Sequence, residues 1–274
     1  MSKPRIIYVC ALYCEAAPII EKLQLKKRAE LTAFQVFEGS DAFLIITGIG
    51  KVNSAAAVSY ITGVLGAGDY YFNIGVCGSI SSYKISEFVV PHKIVDLSAG
   101  RCFFPELKLK GDLQEGVLGT FDLAVSDEIP GIDFYDMEAS GFFEAASKFA
   151  DTSRVYSLKV ISDTLTERKL NKEIISKLIL DNLPHIFGFI ETLLGLEIKK
   201  SNNFITEEEA LLSLIEQKFE LTVSQKIIFR DSAKGFKVRG GKIQGLKKFS
   251  LFTPSSKLER NEHFNAIKEF LLTI

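Results

Sequence analysis

Three acidic residues stand at the ends of apolar runs, and their placement is the first mark of chemistry in this chain. Glu15 follows the run Ile6–Ala11, Glu138 opens a helix-like stretch from Met137 to Phe149, and Asp163 follows Lys159-Val160-Ile161-Ser162. Any one such carboxylate more often caps a helix or sits in its first turn than works as a catalyst. Three at one edge of a single sheet form a stronger pattern, because cleavage of a glycosidic bond needs carboxylates on both sides of a sugar. One can take a proton from water, one can protonate the leaving group, and a third can hold the sugar hydroxyls.

The elements that must position them alternate between strand and helix signals. Ile6–Ala11 reads as a strand and Glu15–Leu23 as a helix. Phe43–Thr47 is a second apolar run, closed by Thr47-Gly48-Ile49-Gly50-Lys51, and Asn53–Leu65 is an Ala-rich helix. Tyr70–Ile74 reads as a strand that breaks at Gly75-Val76-Cys77-Gly78; Ile85–Val95 and Leu118–Val125 are further strands, and Val155–Ile161 is a last buried one. This alternation predicts an α/β fold with a mixed or mainly parallel central sheet flanked by helices. In such sheets the working groups collect on loops at the C-terminal ends of strands, where Glu15, Glu138 and Asp163 are expected to converge.

Composition sets the outer limits. With 274 residues, 47% hydrophobic and 24% charged, the chain has room for one large domain or a domain with an appendage, and its net charge of -1 argues against a uniformly basic coat for nucleic acid. The N-terminus lacks the long apolar segment of a secretory signal, and no run reaches the ~18–20 apolar residues of a membrane span. A cytoplasmic, soluble protein without membrane contact is expected. Cys10, Cys14, Cys77 and Cys102 show no zinc-ligand spacing, three of them lie in apolar strand-like surroundings, and His92, His185 and His263 are scattered. Neither metal nor cofactor is expected.

Beyond Asp163 the character changes. Asn171–Lys200 reads as two helices interrupted around Pro184, and Ser201-Asn202-Asn203 as a linker. Residues 201–220 are acidic. Residues 221–260 hold ten basic residues against Asp231 and Glu259, a local +8, so the remainder of the -1 chain sums to -9. The expected division is a main domain, 1–200, and a small basic accessory domain, 201–274. Its basic segment either meets a nucleic-acid or other polyanionic partner, is a solvated surface, or packs on the acidic residues 207–220; Phe229, Phe236, Phe249 and Phe252 among the charges also fit a small sheet with one wet face.

Five blocks, in order, resemble the nucleoside phosphorylase/nucleosidase superfamily, and within it the methylthioadenosine/S-adenosylhomocysteine nucleosidases. They are Ala11-Leu12-Tyr13-Cys14-Glu15, Thr47-Gly48-Ile49-Gly50-Lys51-Val52-Asn53-Ser54-Ala55-Ala56, Asn73-Ile74-Gly75-Val76-Cys77-Gly78, Asp136-Met137-Glu138-Ala139 and Ile161-Ser162-Asp163. The resemblance spans about residues 5–190. It implies hydrolysis of the N-glycosidic bond of a purine nucleoside such as methylthioadenosine or S-adenosylhomocysteine, in the setting of methionine salvage, by a homo-oligomer, expected as a dimer. By that resemblance Glu15 activates water, Asp163 protonates purine N7, and Glu138 accepts the ribose hydroxyls with Met137 beneath the sugar. Gly50, in a turn whose backbone N–H groups approach the ligand, and Ser162 count among the substrate-binding positions.

The chain also departs from the family. Val76 stands where a hydroxyl residue is usual, and Lys159 where an Arg is usual; both positions help place the water. The aromatic lid over the base falls near Ile129, with Phe134 as a substitute. Two other readings follow from these features: a phosphate-dependent purine nucleoside phosphorylase, and a nucleoside- or nucleic-acid-binding protein with a degenerate site. The loop from Cys10 to Glu15 carries no Arg and ends in a carboxylate, which favours neutral water over phosphate, since like charges ~4 Å apart repel by several kcal/mol at intermediate dielectric.

Overall fold

Strand order decides where the loops gather. One mixed sheet runs β2-β3-β4-β1-β5-β10-β9-β7-β8, with β11 added alongside β5 and β6 alongside β11. The computed structural model describes residues 4–107, 113–123, 125, 127–165, 170–201, 204–254 and 256–272. In chain order the sheet region comprises β1 (Ile6–Cys10), α1 (Tyr13–Leu23), β2 (Lys26–Lys27), β3 (Gln35–Glu38), β4 (Ala42–Ile46), α2 (Lys51–Leu65), β5 (Tyr70–Ser79), β6 (Phe88–Val89), β7 (Lys93–Asp96), β8 (Arg101–Phe103), β9 (Val117–Thr120), β10 (Phe134–Asp136), α3 (Ala139–Ala146) and β11 (Val155–Asp163). The helix α4 (Lys172–Ser201) follows. Contacts group the chain into two units, residues 1–193 and 194–274.

The centre is parallel: β1 pairs in parallel with β4 and β5, and β5 with β11. These strands are buried, which is why they read as continuous apolar runs and not as alternating ones. Their C-terminal ends point the same way, so the loops after β1, β4 and β11 open on one edge. Antiparallel pairs close the two rims, β2 with β3 and β7 with β8, and another, β10 with the end of β5, lies inside the sheet. The core, with Ile7, Val9, Ile45, Tyr71, Phe134, Phe142 and Ile161, lies between sheet and helices.

Three elements differ from the sequence reading. The strand expected to break at Gly75 continues to Ser79, because its backbone keeps pairing with β11 through Val76↔Val160 and Cys77↔Ile161. Glycine inside a strand here marks close approach by a neighbour, not a turn. Ile85–Val95 resolves into β6 and β7, divided around Pro91. Pro184 does not interrupt α4, which runs as one helix of 30 residues. Proline removes the N–H that would bond to the carbonyl of Leu180, but Leu180 is exposed, so that carbonyl lies on a solvent-facing turn while Leu183 and Ile186 stay buried. Among the described residues no helix is long and apolar enough to cross a membrane.

The second unit is helical: α5 (Thr206–Lys218), α6 (Val223–Val238), α7 (Lys247–Ser250) and α8 (Lys257–Leu272) surround Leu212, Ile215, Phe229, Phe236, Leu246, Phe264 and Ile267. Phe229, Ala233 and Phe236 follow helical spacing, so the small-sheet reading of 221–260 gives way to a helix capped by Thr222, whose hydroxyl accepts the N–H of Gln225 at 3.3 Å. Part of the basic segment is neutralised inside the unit. Arg230 pairs with Glu209 and Glu216, Lys237 with Glu208, and Arg260 with Glu220. Asn202 and Asn203 of the expected linker lie outside the described residues. All four cysteines are free; Cys10 and Cys77 are buried, whereas Cys102 lies exposed on the short strand β8.

Candidate active site

Glu15 is the third residue of α1, and its carboxylate turns back over the end of β1. Oε2 accepts the Leu12 N–H at 2.8 Å, half of a capping box, and Oε1 accepts the Val76 N–H at 2.9 Å from β5. The side chain can lie this close to the strand only because residue 75 is glycine. A Cβ there would fall 2.6 Å from Oε1 and 3.1 Å from the carboxyl carbon. Glu15 is 3% exposed, and burial pushes its carboxyl up, opposed by the charge of Lys159 and the backbone N–H groups.

Glu138 stands at the N-terminus of α3. Its Oε1 accepts the N–H of Gly50 at 2.9 Å, across 88 residues of sequence. Gly50 holds φ 104°, a region that L side chains rarely adopt, which makes glycine the residue for this turn. That amide is committed to Glu138, so the turn contributes by fixing a carboxylate and not by offering this N–H to a ligand. Burial first, and the charge of Asp136 second, push the Glu138 carboxyl up to about 7 against the pull of Lys159.

Asp163 ends β11, half-buried. Its Oδ2 lies 2.7 Å from the Ser162 hydroxyl, and Oδ1 accepts the Leu165 N–H at 3.1 Å. Leu165 has φ 60°, a left-handed conformation costly for a branched residue, at a turn that faces the cleft.

These groups line one cleft of about 280 Å³, walled by Leu12, Glu15, Ile49, Val76, Met137, Glu138, Ser162 and Asp163, with Phe121, Tyr135, Leu165 and Ile175 among the remaining residues. A second hollow of about 1160 Å³ shares Leu12, Leu170 and Ile175 with it and runs between α1 and the start of α4. Among the described residues lining the cleft, none is Lys, Arg or His. Lys51, the one cation of the Gly48–Lys51 turn, is engaged elsewhere: its Nζ lies 3.0 Å from Asp96 and 3.1 Å from Asp122, and it also meets Ser98. Burial would raise the Asp96 carboxyl, but Lys51, the Ala99 N–H and Ser98 outweigh it and hold it down to about 2.

Of the positions singled out from the sequence, Glu15, Val76, Met137, Glu138, Ser162 and Asp163 share the cleft, and Gly50 bonds to one of its carboxylates. Lys159 lies beneath it, 1% exposed. Ile129 and Phe134 do not line it. Ile129 donates its N–H to the Tyr135 hydroxyl, and Phe134 is fully buried with its ring 4.8 Å from that of Tyr83. The aromatic surface in the cleft belongs to Phe121 and Tyr135, stacked at 5.6 Å and 23°. A one-residue shift on β10 exchanges Phe134 for Tyr135, since neighbouring side chains on a strand face opposite sides. Asp136, which pairs with Lys159, also escaped notice; its signal was the charged Lys159 within an otherwise buried strand.

A mixed sheet flanked by helices, with a cleft lined by Glu15, Glu138 and Asp163, defines an α/β protein. Residues 5–129 match the family described as the Phosphorylase superfamily. A comparison with curated proteins gives no match. Among solved structures, the chain is similar to a mutant of the Helicobacter pylori MTAN with 5′-methylthioadenosine in its active site, at 20% identity, 70% of this chain, 100% of that one and TM-score 0.57. It is also similar to the 5′-methylthioadenosine/S-adenosylhomocysteine nucleosidase of Colwellia psychrerythraea in complex with adenine (20% identity, 71% and 96% coverage, TM-score 0.58). The futalosine hydrolase of Helicobacter pylori matches at 18% identity over 69% of this chain and 98% of that one, TM-score 0.56. At these identities the likeness is one of fold.

Proposed function

We propose that the protein hydrolyses the N-glycosidic bond of a purine nucleoside such as methylthioadenosine or S-adenosylhomocysteine. The observation that carries the reading is the convergence of Glu15, Glu138 and Asp163 on one cleft whose described lining holds no cation for phosphate. Glu15, buried and held by two backbone N–H groups, takes the proton of an attacking water. Glu138 accepts the 2′ and 3′ hydroxyls, bonds that strengthen as the ring becomes oxocarbenium-like, and Met137 packs beneath the sugar. Asp163 gives a proton to purine N7, so that the base leaves neutral. Phe121 and Tyr135 take the stacking place first assigned to Ile129 or Phe134, and the adjoining hollow has room for the 5′ substituent. The test is a screen of nucleosides for free base with and without phosphate. Release without phosphate is expected; release only with phosphate, or from no nucleoside, overturns the reading.

Ligand affinity should depend on pH through Glu138. Its carboxyl is raised to about 7, above the ~4.3 of an unfolded chain. Between those values the folded state binds more protons, so this group's contribution to stability falls as pH rises from ~4.3 through about 7. A diol donating to the carboxylate favours the ionised form. Affinity for an uncleavable ribonucleoside analogue should therefore rise about tenfold from pH 6 to 8, by the change in ionised fraction. The Glu138→Gln variant and a dideoxy analogue should show a flat profile. A flat profile in the wild type would remove Glu138 from the diol site.

We further propose a homodimer, because α2 has no charge from Val52 through Leu65 while Val52, Ala56 and Val64 are exposed. Sedimentation should show a dimer that Val52→Glu dissociates; a monomeric wild type sinks this proposal. For residues 201–274 we keep the role of an accessory domain, with exposed Lys226, Lys242 and Lys247 left for a polyanion. Salt-dependent binding of nucleic acid to the full chain is the measurement, and its absence removes that role.

A further inference from the structure

Beneath the cleft one ammonium meets the carboxylate of Asp136 and feels the charges of Glu138 and Glu15. Lys159 Nζ lies 2.9 Å from Asp136 Oδ2, with side chains 2% and 0% exposed. Asp136 is fixed from further sides: the Thr120 hydroxyl donates to Oδ1 at 2.8 Å, the Ala139 N–H donates to Oδ2 at 2.9 Å, and Thr120 itself accepts the Ser140 N–H at 3.0 Å. The ionisable groups that act on or feel Lys159 come from every element around it. They are Asp136 of β10, Glu138 at the start of α3, Glu15 of α1, and the thiols Cys10 of β1 and Cys77 of β5. Burial raises both thiols and keeps them neutral, so they supply no charge. On β11, Lys159 stands opposite Gly75, the residue over which the Glu15 carboxylate lies.

We infer that Lys159 is a positioning residue: anchored on Asp136, it is the buried countercharge that lets Glu15 and Glu138 be ionised together in the cleft. This rests on the reading of Glu15 as base and Glu138 as diol acceptor. Carboxylates in a water-poor cavity do not ionise together without a cation, since burial and mutual repulsion both favour the proton. A pair of charged carboxylates is also what a sugar gaining positive charge requires. Lysine serves as a point charge, without the planar fork by which Arg would align a ligand, so its effect falls on the ionisation of its neighbours.

The test reads carboxyl titrations by carbon-13 NMR in the ligand-free full chain, beside the pH profile of kcat/KM. In the wild type both glutamates should be ionised by pH 8. Lys159→Met should move both titrations up by at least one unit, with Lys159→Arg near the wild type. Asp136→Asn frees the ammonium but also removes the charge that raises Glu138, so the titration that reports the ammonium is that of Glu15, which should move in the opposite direction. The acid limb of kcat/KM should follow, with about tenfold lower activity at pH 6 for each unit that Glu138 gains. Wild-type glutamates still protonated at pH 9 overturn the inference without any variant. So do titrations that Lys159→Met leaves in place; if that variant does not fold, a Glu15 titration unmoved in Asp136→Asn has the same force. Carboxyls that shift as expected in a protein that cleaves no nucleoside would sink the nucleosidase reading and leave the countercharge standing.

Discussion

Asp163→Asn is expected to keep the fold and to lower purine release by about 10²–10⁴-fold, the usual span for a lost general acid. Both hydrogen bonds of Asp163 are of a kind an amide can replace. Its oxygen can still accept the Leu165 N–H, now 3.1 Å away, and its NH2 can donate to the Ser162 hydroxyl, now 2.7 Å away. What the amide cannot do is deliver a proton to N7. Initial rates should be compared on a purine nucleoside and on a riboside whose leaving group departs without protonation, such as a nitrophenolate. The second should suffer far less. Equal losses on both would show that Asp163 holds the turn at Leu165 and takes no part in the chemistry.

Glu15→Gln is expected to abolish hydrolysis, by at least about 10³-fold, while a nucleoside analogue still binds within a few-fold of the wild type. The amide cannot take the proton of water. The geometry adds a cost in stability that the sequence did not reveal. Both carboxylate oxygens accept backbone N–H groups, from Val76 and from Leu12, and an amide has one oxygen for the two. One N–H then faces an NH2, a loss of about 1–3 kcal/mol for an unsatisfied buried donor. A lower melting temperature with binding intact is the expected signature, read by calorimetry on one sample. Loss of binding together with activity would assign Glu15 to ligand recognition.

How much of this was legible beforehand depended on whether a signal was local. Glu15, Glu138 and Asp163 each stand at the end of an apolar run; β1 and β11 run parallel to β5, so Glu15 and Asp163 share its edge, whereas Glu138 follows β10, which pairs antiparallel with the end of β5. The course of β5 was misread because Gly75 and Gly78 look like punctuation, whereas their purpose depends on Glu15 and Asp163, far away in sequence. Phe134 and Tyr135 differ by one step on a three-residue strand, and no local pattern says which faces the cleft. Gly50 was given a ligand because its partner, Glu138, lies 88 residues on. The Asp136–Lys159 pair was out of reach for the same reason. In the second unit, phenylalanines among lysines fitted either period until Phe229, Ala233 and Phe236 were seen on one helical face.

The bare backbone at Gly75 also bears on descent. With 2.6 Å between the missing Cβ and the Glu15 carboxylate, even alanine at that position must displace the acid or bend the central strand. The carboxylate at position 15 and the bare backbone at position 75 therefore constrain each other, and neither can change freely while the other stays. A chain of this fold with a side chain opposite the buried residue of β11 has no room for a carboxylate in the place that Glu15 takes here.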